Sequence, residues 1–100
     1  MNLRDSVIIV TGSATGLGAA VVKQVAAKGA RVVINYTKSE KEAHETEAVC
    51  YYLGVESILC KADVSVDEDC QRMAAEAIAK WGRIDGLVNN AARSVFANSK

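Results

Sequence analysis

Apolar and polar residues alternate along this chain in blocks that predict strands and helices in turn. Four short runs rich in valine, isoleucine and leucine have the length of buried strands and lie at 7–10, 31–35, 56–61 and 84–89. Three longer stretches with helical spacing separate them. They predict helices at 16–28, between Ser39 and Gly54, and between Ser65 and Gly82.

Each predicted helix has apolar residues that recur on one face. The first repeats at i, i+4 and i+8, and its predicted buried residues are Leu17, Val21 and Val25. The predicted inner face of the second carries Ala43, Cys50 and Leu53. The third is the clearest amphipathic helix, and its apolar residues are Cys70, Met73, Ala74, Ala77, Ile78 and Trp81. The tryptophan is most simply a core residue.

Serines and a glycine mark the ends of these helices. Ser39 with Glu42, and Ser65 with Glu68, have the spacing of capping boxes, in which a serine hydroxyl and a glutamate three residues later satisfy free main-chain groups. Gly29 stands where a glycine commonly ends a helix. We therefore expect each helix to begin and end close to these positions.

The βαβαβαβ order predicts an α/β fold with a doubly wound parallel sheet. Strands that are joined through helices run parallel, and their crossovers are right-handed. The expected strand order is 3-2-1-4, so the order reverses between strands 1 and 4. Ligands of open parallel sheets bind at that reversal, outside the carboxyl ends of the strands. The sequence thus predicts a site between the ends of strands 1 and 4.

Three glycines follow the first strand directly, in the spacing Gly12-x-x-x-Gly16-x-Gly18. A strand, a glycine turn and a helix N-terminus together form an anion site, because the turn lets phosphate approach free N–H groups. The spacing differs from the Gly-x-Gly-x-x-Gly of the general dinucleotide fingerprint. A tight turn without a ligand would also use glycines. The interpretation as a phosphate site therefore depends on the residues at the other strand ends.

Composition narrows the function classes. The chain has 100 residues, half of them hydrophobic, with 12 basic and 12 acidic residues and no net charge. This favours one small domain and gives no reason to expect a nucleic acid or a membrane as a partner. Three cysteines without a Cys-x-x-Cys pair, and a lone histidine, predict reduced buried thiols in a cytoplasmic protein and no metal site.

The residues after strand 2 bear on the choice of cofactor. An acidic residue there would accept hydrogen bonds from the ribose hydroxyls and select NAD. This chain has Asn35-Tyr36-Thr37-Lys38 instead, with two groups that suit a 2′-phosphate, the Thr37 hydroxyl and the Lys38 ammonium. The pattern favours NADP, or tolerance of NAD as well. A polar loop that leads into a helix remains the alternative.

Two further strand ends carry candidate binding residues. Asp63 and Val64 follow strand 3 and suit the amino group and one ring face of adenine. Asn90 and Ala91 follow strand 4, where a small side chain lets a ribose lie against the main chain. The alternatives are a loop aspartate close to a helix cap, and asparagines that bind neighbouring loops.

These motifs together resemble the short-chain dehydrogenase/reductase family over the whole chain. The resemblance rests on Thr11-Gly12-x-x-x-Gly16-x-Gly18, on Asp63-Val64, and on the stretch from Gly82 through Asn89-Asn90-Ala91. The segment 33–36 is similar to the 3-oxoacyl-carrier-protein reductase and glucose dehydrogenase members. The resemblance implies a Rossmann-type fold that binds NADP or NAD, a small carbonyl or alcohol substrate, and a homo-oligomer.

The resemblance also implies roles for single residues. Gly12, Gly16 and Gly18 would form the diphosphate turn, with three residues near phosphate or ribose: Ser13, Thr15 and Leu17. The ribose or its phosphate would meet Asn35, Tyr36 and Thr37. Asp63 and Val64 would hold adenine, and Asn90 and Ala91 would flank the cofactor ribose. Thr15 stands where many NADP-preferring members carry arginine, and Ala92 replaces the usual glycine.

The family's proton-transfer residues, a serine and a Tyr-x-x-x-Lys pair, have no counterpart here. The three tyrosines are Tyr36, Tyr51 and Tyr52, and none is followed by lysine at the fourth position. We therefore assign no catalytic residue and expect 1–100 to be the N-terminal, cofactor-binding part of a longer domain. The alternative is a non-catalytic module that binds a nucleotide or a partner.

Overall fold

A four-stranded parallel sheet with helices on both faces is seen in the computed structural model, which describes residues 3–90. The strands are β1 (Val7–Val10), β2 (Arg31–Tyr36), β3 (Ser57–Lys61) and β4 (Gly86–Val88). The helices are α1 (Gly16–Ala27), α2 (Glu40–Tyr52) and α3 (Asp67–Trp81). All seven predicted elements are present in the predicted order, with bounds that differ by three residues at most.

The strand order is β3-β2-β1-β4, as the pattern predicts. The register pairs Val7 with Arg31 and Ile8 with Gly86, so β1 lies between β2 and β4. Every pairing is parallel. The carboxyl ends of the four strands therefore meet at one edge of the sheet, which brings the predicted site residues of four separate loops to that edge.

Side chains of the strands alternate between two core layers. One layer lies against α1 and α2, and its buried residues include Val10, Val32 and Ile34. The other lies against α3 and contains Val7, Ile9, Val33, Cys60, Met73 and Ala77. Because β1 and β2 are covered on both faces, their sequences are continuous apolar runs rather than alternating ones.

The predicted buried face of α1 is wrong by one residue. Gly18, Val22 and Ala26 are the buried residues, whereas Leu17 is 51% exposed. The predicted set and the buried set both have the i, i+4, i+8 spacing, so the spacing alone does not select between them. The close approach of Gly18 to the preceding turn determines which set faces the sheet. One predicted buried residue in each of the other two helices is also exposed, Leu53 at 41% and Ile78 at 48%.

Neither predicted capping box forms. Ser39 is the N-cap of α2 but makes no side-chain cap hydrogen bond, and the N-cap of α3 is Val66 rather than Ser65. The Ser65 hydroxyl donates instead to the Asp63 carboxylate at 2.6 Å, because a short polar side chain can satisfy its own loop as readily as a helix end. The C-terminal glycines are as predicted, with Gly82 in the left-handed conformation at φ 76°.

Trp81 is half-buried and packs against the layer under α3, close to its predicted place. Its indole Nε1 donates to Glu56 Oε1 at 2.6 Å. The guanidinium carbon of Arg31 lies 5.8 Å from its ring centroid. The side chain thus ties the end of α3 to the amino-terminal edge of the sheet, opposite the glycine turn.

Candidate functional site

The glycine turn after β1 needs glycine at each of its three positions. Gly12 and Gly16 have φ 58° and 59°, which L side chains rarely adopt. Gly18 has a different reason, because a Cβ there would lie 2.2 Å from the Gly12 carbonyl oxygen. The turn therefore doubles back so tightly that the first turn of α1 lies directly on it.

The N-terminus of α1 faces this turn with unsatisfied main-chain donors. Among residues 3–90, the N–H groups of Gly16, Leu17 and Gly18 have no hydrogen-bond acceptor. The N-cap Thr15 makes no side-chain cap hydrogen bond, and Leu17 is exposed beside it. Free amides and the partial positive charge of a helix N-terminus form a site for an anion such as a phosphate.

The three helices differ in the charges that they place in their first turns. α2 has two acidic residues there and α3 has three, which compensate the helix dipole from within the chain. α1 has none. The positive end of α1 is thus the one that the described part of the chain leaves for an external anion.

Ser13 and Asn35 lie beneath the turn rather than at its surface. Their exposed fractions are 0% and 2%. The Ser13 hydroxyl accepts a hydrogen bond from the Asn35 N–H at 2.8 Å. Both amide hydrogens of the Asn35 side chain go to main-chain carbonyls of Cys60 and Ala62. The side chains predicted to meet a ligand at these two positions are therefore turned into the protein.

Thr46 of α2 is a second buried polar residue at this turn, and the sequence pattern did not single it out. Its hydroxyl donates to the carbonyl oxygens of Ala14 at 3.2 Å and of Glu42 at 3.1 Å. The available signal was its position, since Ala43, Thr46 and Cys50 recur at i, i+3 and i+7 on the buried face of α2. A polar residue within such a stripe indicates a buried acceptor opposite.

The loop after β2 reaches the same edge with exposed polar groups. Tyr36 is half-buried against the α1–α2 core layer, and Thr37 and Lys38 are exposed. The first carboxylate after the strand is Glu40, at the start of α2. The strand end itself thus presents a hydroxyl and an ammonium group and no acid.

Asp63 and Val64 follow β3 in a loop ordered by short polar contacts. Asp63 Oδ1 accepts hydrogen bonds from the Ser65 hydroxyl at 2.6 Å and from the Ser65 N–H at 2.9 Å. These bonds to the charged form lower the pKa of the Asp63 carboxyl. The Asp63 N–H donates to Asp69 Oδ2 at 2.8 Å. The loop thus holds an ionised carboxylate at the carboxyl edge of the sheet.

Hydrogen bonds join the end of β4 and the residues after it to Thr11 and Gly12. The Thr11 N–H donates to the Val88 carbonyl at 3.0 Å, and the Thr11 hydroxyl donates to Asn89 Oδ1 at 3.1 Å. The Asn90 side-chain amide donates to the Gly12 carbonyl at 3.2 Å. These contacts match the alternative role of the asparagines, binding a neighbouring loop. Ala91, the other residue predicted here, lies outside the described residues.

One concave surface, of about 780 Å³, lies away from the turn. It is at the amino-terminal edge of the sheet and is lined by charged groups that include Arg4, Lys28 and Glu56. Another, of about 450 Å³, is apolar, lies between α3 and β4, and reaches Thr11 and Asn89 beside the turn. Size alone would favour the first, but the free helix amides and the clustered strand ends place the anion chemistry at the opposite edge.

The described residues add two plain observations. Residues 3–90 bring together no group of three His, Cys, Asp or Glu side chains that could hold a metal ion. None of the three helices found there combines the length and the apolar character that a membrane span requires.

Comparisons with known proteins give the family. The sequence pattern of the short chain dehydrogenase family matches residues 6–100. The chain is 38% identical over 91 residues to the short-chain dehydrogenase/reductase homolog YusS of Bacillus subtilis, covering 91% of this chain and 84% of YusS. It is 39% identical over 88 residues to a ketoacyl reductase of the granaticin polyketide synthase of Streptomyces violaceoruber, covering 88% of this chain and 34% of that protein.

A solved structure agrees in fold. A short chain dehydrogenase from Burkholderia cenocepacia J2315 in complex with NADP superposes with a TM-score of 0.85 at 34% identity, over 89% of this chain and 36% of that one. The chain thus spans most of YusS but about a third of the other two proteins. The family match and the shared strand order lead to one conclusion: this chain belongs to the short-chain dehydrogenase/reductase family.

Proposed function

We propose that this chain binds NADP, and NAD less tightly, as the cofactor-binding part of an oxidoreductase. The observation that carries the proposal is the N-terminus of α1, where three amides lack an acceptor among the described residues and no acidic side chain compensates the dipole. A diphosphate suits this end because Gly12 and Gly16 carry no side chain and the side chains of Ser13 and Ala14 are buried. Bound there, the nicotinamide ring would supply or accept a hydride.

The surrounding loops support a dinucleotide rather than a simple phosphate. Thr37 and Lys38 are exposed directly after β2, and a hydroxyl and an ammonium group there would favour a 2′-phosphate and hence NADP. The Asp63 carboxylate, whose pKa is lowered by its hydrogen bonds from Ser65, suits the amino group of adenine. Asn90, with Ala91 after it, would flank a ribose. The complex of a similar dehydrogenase with NADP favours the same choice.

The reaction that we propose for the whole protein is hydride transfer between NAD(P)(H) and a carbonyl or alcohol. The named relatives are oxidoreductases of this family, one of them a ketoacyl reductase. The sequence has no Tyr-x-x-x-Lys, so this chain's own residues bind and orient the cofactor and do not transfer the proton. We also propose that residues 1–100 are part of a longer domain, and that the protein is cytoplasmic and forms a dimer or tetramer.

Fluorescence titration of the 100-residue chain tests the cofactor proposal. NADPH and NADH are titrated separately, and ADP is then added as a competitor that carries the diphosphate without nicotinamide. We expect saturable NADPH binding, weaker NADH binding, and displacement of both by ADP but not by adenosine. Absence of binding by both dinucleotides at millimolar concentration would show that the assignment of the α1 N-terminus is wrong.

A further inference from the structure

Asn35 is a polar side chain inside an otherwise apolar run, and it is 2% exposed. Burying an amide costs free energy unless each polar atom finds a partner. All of its groups do. Oδ1 accepts from the Gly12 N–H at 2.9 Å, and Nδ2 donates to the carbonyls of Cys60 at 3.3 Å and Ala62 at 3.0 Å.

The main chain of Asn35 adds a second set of contacts to the same turn. Its N–H donates to the Ser13 hydroxyl at 2.8 Å, and its carbonyl accepts from the Ser13 N–H at 2.9 Å. The amides of Gly12 and Ser13 are thus both committed to this one residue. The turn amides left for an anion follow Ser13 and lead into the start of α1, so Asn35 holds the two amides of the turn that are not available to an anion.

The partners of the Asn35 side chain lie on both sides of the candidate site. Gly12 belongs to the turn that would hold the diphosphate, and Ala62 directly precedes Asp63 and Val64 of the loop that would meet adenine. We propose that Asn35 is a positioning residue that fixes the phosphate turn and the β3–α3 loop relative to each other. The proposal rests on the proposed cofactor site and goes beyond it, since it gives the buried Asn35 side chain a role in holding two loops rather than in binding.

Only asparagine meets these requirements at this position. Aspartate would keep the acceptor for Gly12 but would set a second oxygen against two carbonyl oxygens, and glutamine is one methylene too long for the same three partners. Serine and alanine leave Gly12 N–H without its buried acceptor. A preformed site binds more tightly because the ligand does not have to order it, so loss of the amide should weaken binding even where the fold survives.

The test uses the 100-residue chain with Asn35→Ala and a control, Val33→Ala. Val33 is fully buried in the same strand, and its aliphatic side chain forms no hydrogen bond, so its truncation destabilises the fold without removing a hydrogen bond of the bridge. ADP affinity is measured by calorimetry at a temperature where circular dichroism shows both variants folded. We expect Asn35→Ala to weaken ADP binding about tenfold, the loss of a buried hydrogen-bond network, and Val33→Ala to leave it unchanged.

Amide hydrogen exchange gives a second readout that general destabilisation would not reproduce. In Asn35→Ala the Gly12 amide loses its side-chain acceptor and should lose protection, while the Ser13 amide, which donates to the main-chain carbonyl of residue 35, and the Ile9 amide of β1 keep theirs. Should Asn35→Ala not fold, Ser13→Ala removes only the hydroxyl that accepts the Asn35 N–H, and we expect about threefold weaker ADP binding.

Wild-type affinity in the folded Asn35 or Ser13 variant would overturn the positioning role, as would an equal loss in Val33→Ala. If wild-type protein itself binds neither ADP nor NADPH, the proposed function fails and the positioning role fails with it. Wild-type binding with unaltered Asn35→Ala affinity overturns the positioning role alone.

Discussion

A Cβ atom on Gly18 would lie 2.2 Å from the carbonyl oxygen of Gly12 and 2.7 Å from the Cα of Ser13. The neighbours are main-chain atoms of a turn that is itself held by Asn35 of β2 and by Asn90 after β4, so they cannot move aside as a flexible side chain would. This contact sets how closely α1 lies on the turn and which face of the helix is buried. The position of the helix amides over the candidate anion site follows from it.

Gly18→Ala should therefore damage both the fold and cofactor binding. The added methyl must push α1 away from the turn, and we expect a loss of about 1–3 kcal/mol in the free energy of unfolding. NADPH binding should weaken by more than about tenfold, because the helix amides leave their place under the diphosphate. Urea denaturation and fluorescence titration measure the two effects.

Gly16→Ala is the matched control for this prediction. Its Cβ would meet nothing within 4 Å, so only the positive φ of 59° opposes the substitution. That strain lowers the free energy of unfolding by about 1–2 kcal/mol. This loss lies within the range expected for Gly18→Ala, but here α1 keeps its position. Because Gly16 itself belongs to the proposed phosphate site, the comparison is made on the helix: chemical-shift changes along α1 as large in Gly16→Ala as in Gly18→Ala would contradict the structural reason given for Gly18.

Lys38→Glu should reduce the preference for NADP. Reversing an exposed charge about 4 Å from a phosphate changes the interaction by roughly 2 kcal/mol in water, so we expect NADPH affinity to fall by an order of magnitude and NADH affinity to change little. Lys28→Glu makes the same charge change at the opposite edge of the sheet. A parallel loss of NADH and NADPH affinity in Lys38→Glu would place the ribose elsewhere.

Asp85 makes the stability of the fold depend on pH. Its carboxylate accepts hydrogen bonds from Arg83 at 2.6 and 2.8 Å and from the Val7 N–H at 2.8 Å. Arg83 first and Val7 second lower the pKa of this carboxyl below the ordinary 3.8. A lowered folded-state pKa adds stability that is present above the unfolded-state pKa and is lost as pH falls through the folded-state value.

Urea midpoints between about pH 7 and pH 2 measure this effect, because the pH range spans the ordinary carboxyl pKa. Asp85→Asn should be less stable than wild type at pH 7, and the difference should shrink as the pH falls below about 4. Glu45→Gln removes an exposed charge from α2 and should leave the wild-type pH profile in place. A constant difference between Asp85→Asn and wild type across the range would show that the charge of Asp85 contributes nothing.

The strand order and the loop cluster were predictable from sequence because they depend on repeated features. Apolar runs recur in the strands, and helical spacing with a glycine at the C-terminal end recurs in the helices. Each weak signal therefore supports the next. The parallel order then places the ends of β1 and β4 side by side without any knowledge of single contacts. The same logic brought the residues around Gly12, Thr37, Asp63 and Asn90 to one edge.

Single contacts decided what the sequence pattern left open. Two stripes in α1 have equal spacing, and only the packing of Gly18 on the turn selects between them. Ser65 can cap a helix or bind Asp63, and the loop contact prevails. The sequence predicts that Asn35 binds a ligand, because it lies at a strand end. In the structure its side chain points between two loops and forms hydrogen bonds with both.

The three cysteines should differ in their reactivity toward thiol reagents. Burial raises the pKa of the Cys50 and Cys60 thiols, which disfavours the reactive thiolate, and both side chains are 2% exposed or less. Cys70 is half-buried at the start of α3, where its thiol donates to the Val64 carbonyl at 3.3 Å. We expect iodoacetamide to modify Cys70 first and the other two only when the protein unfolds, as mass spectrometry of digested samples would show. Cys70→Ser should then leave the native protein nearly unlabelled, whereas fast labelling of Cys60 in that variant would mean that α3 opens from the sheet well below the unfolding transition.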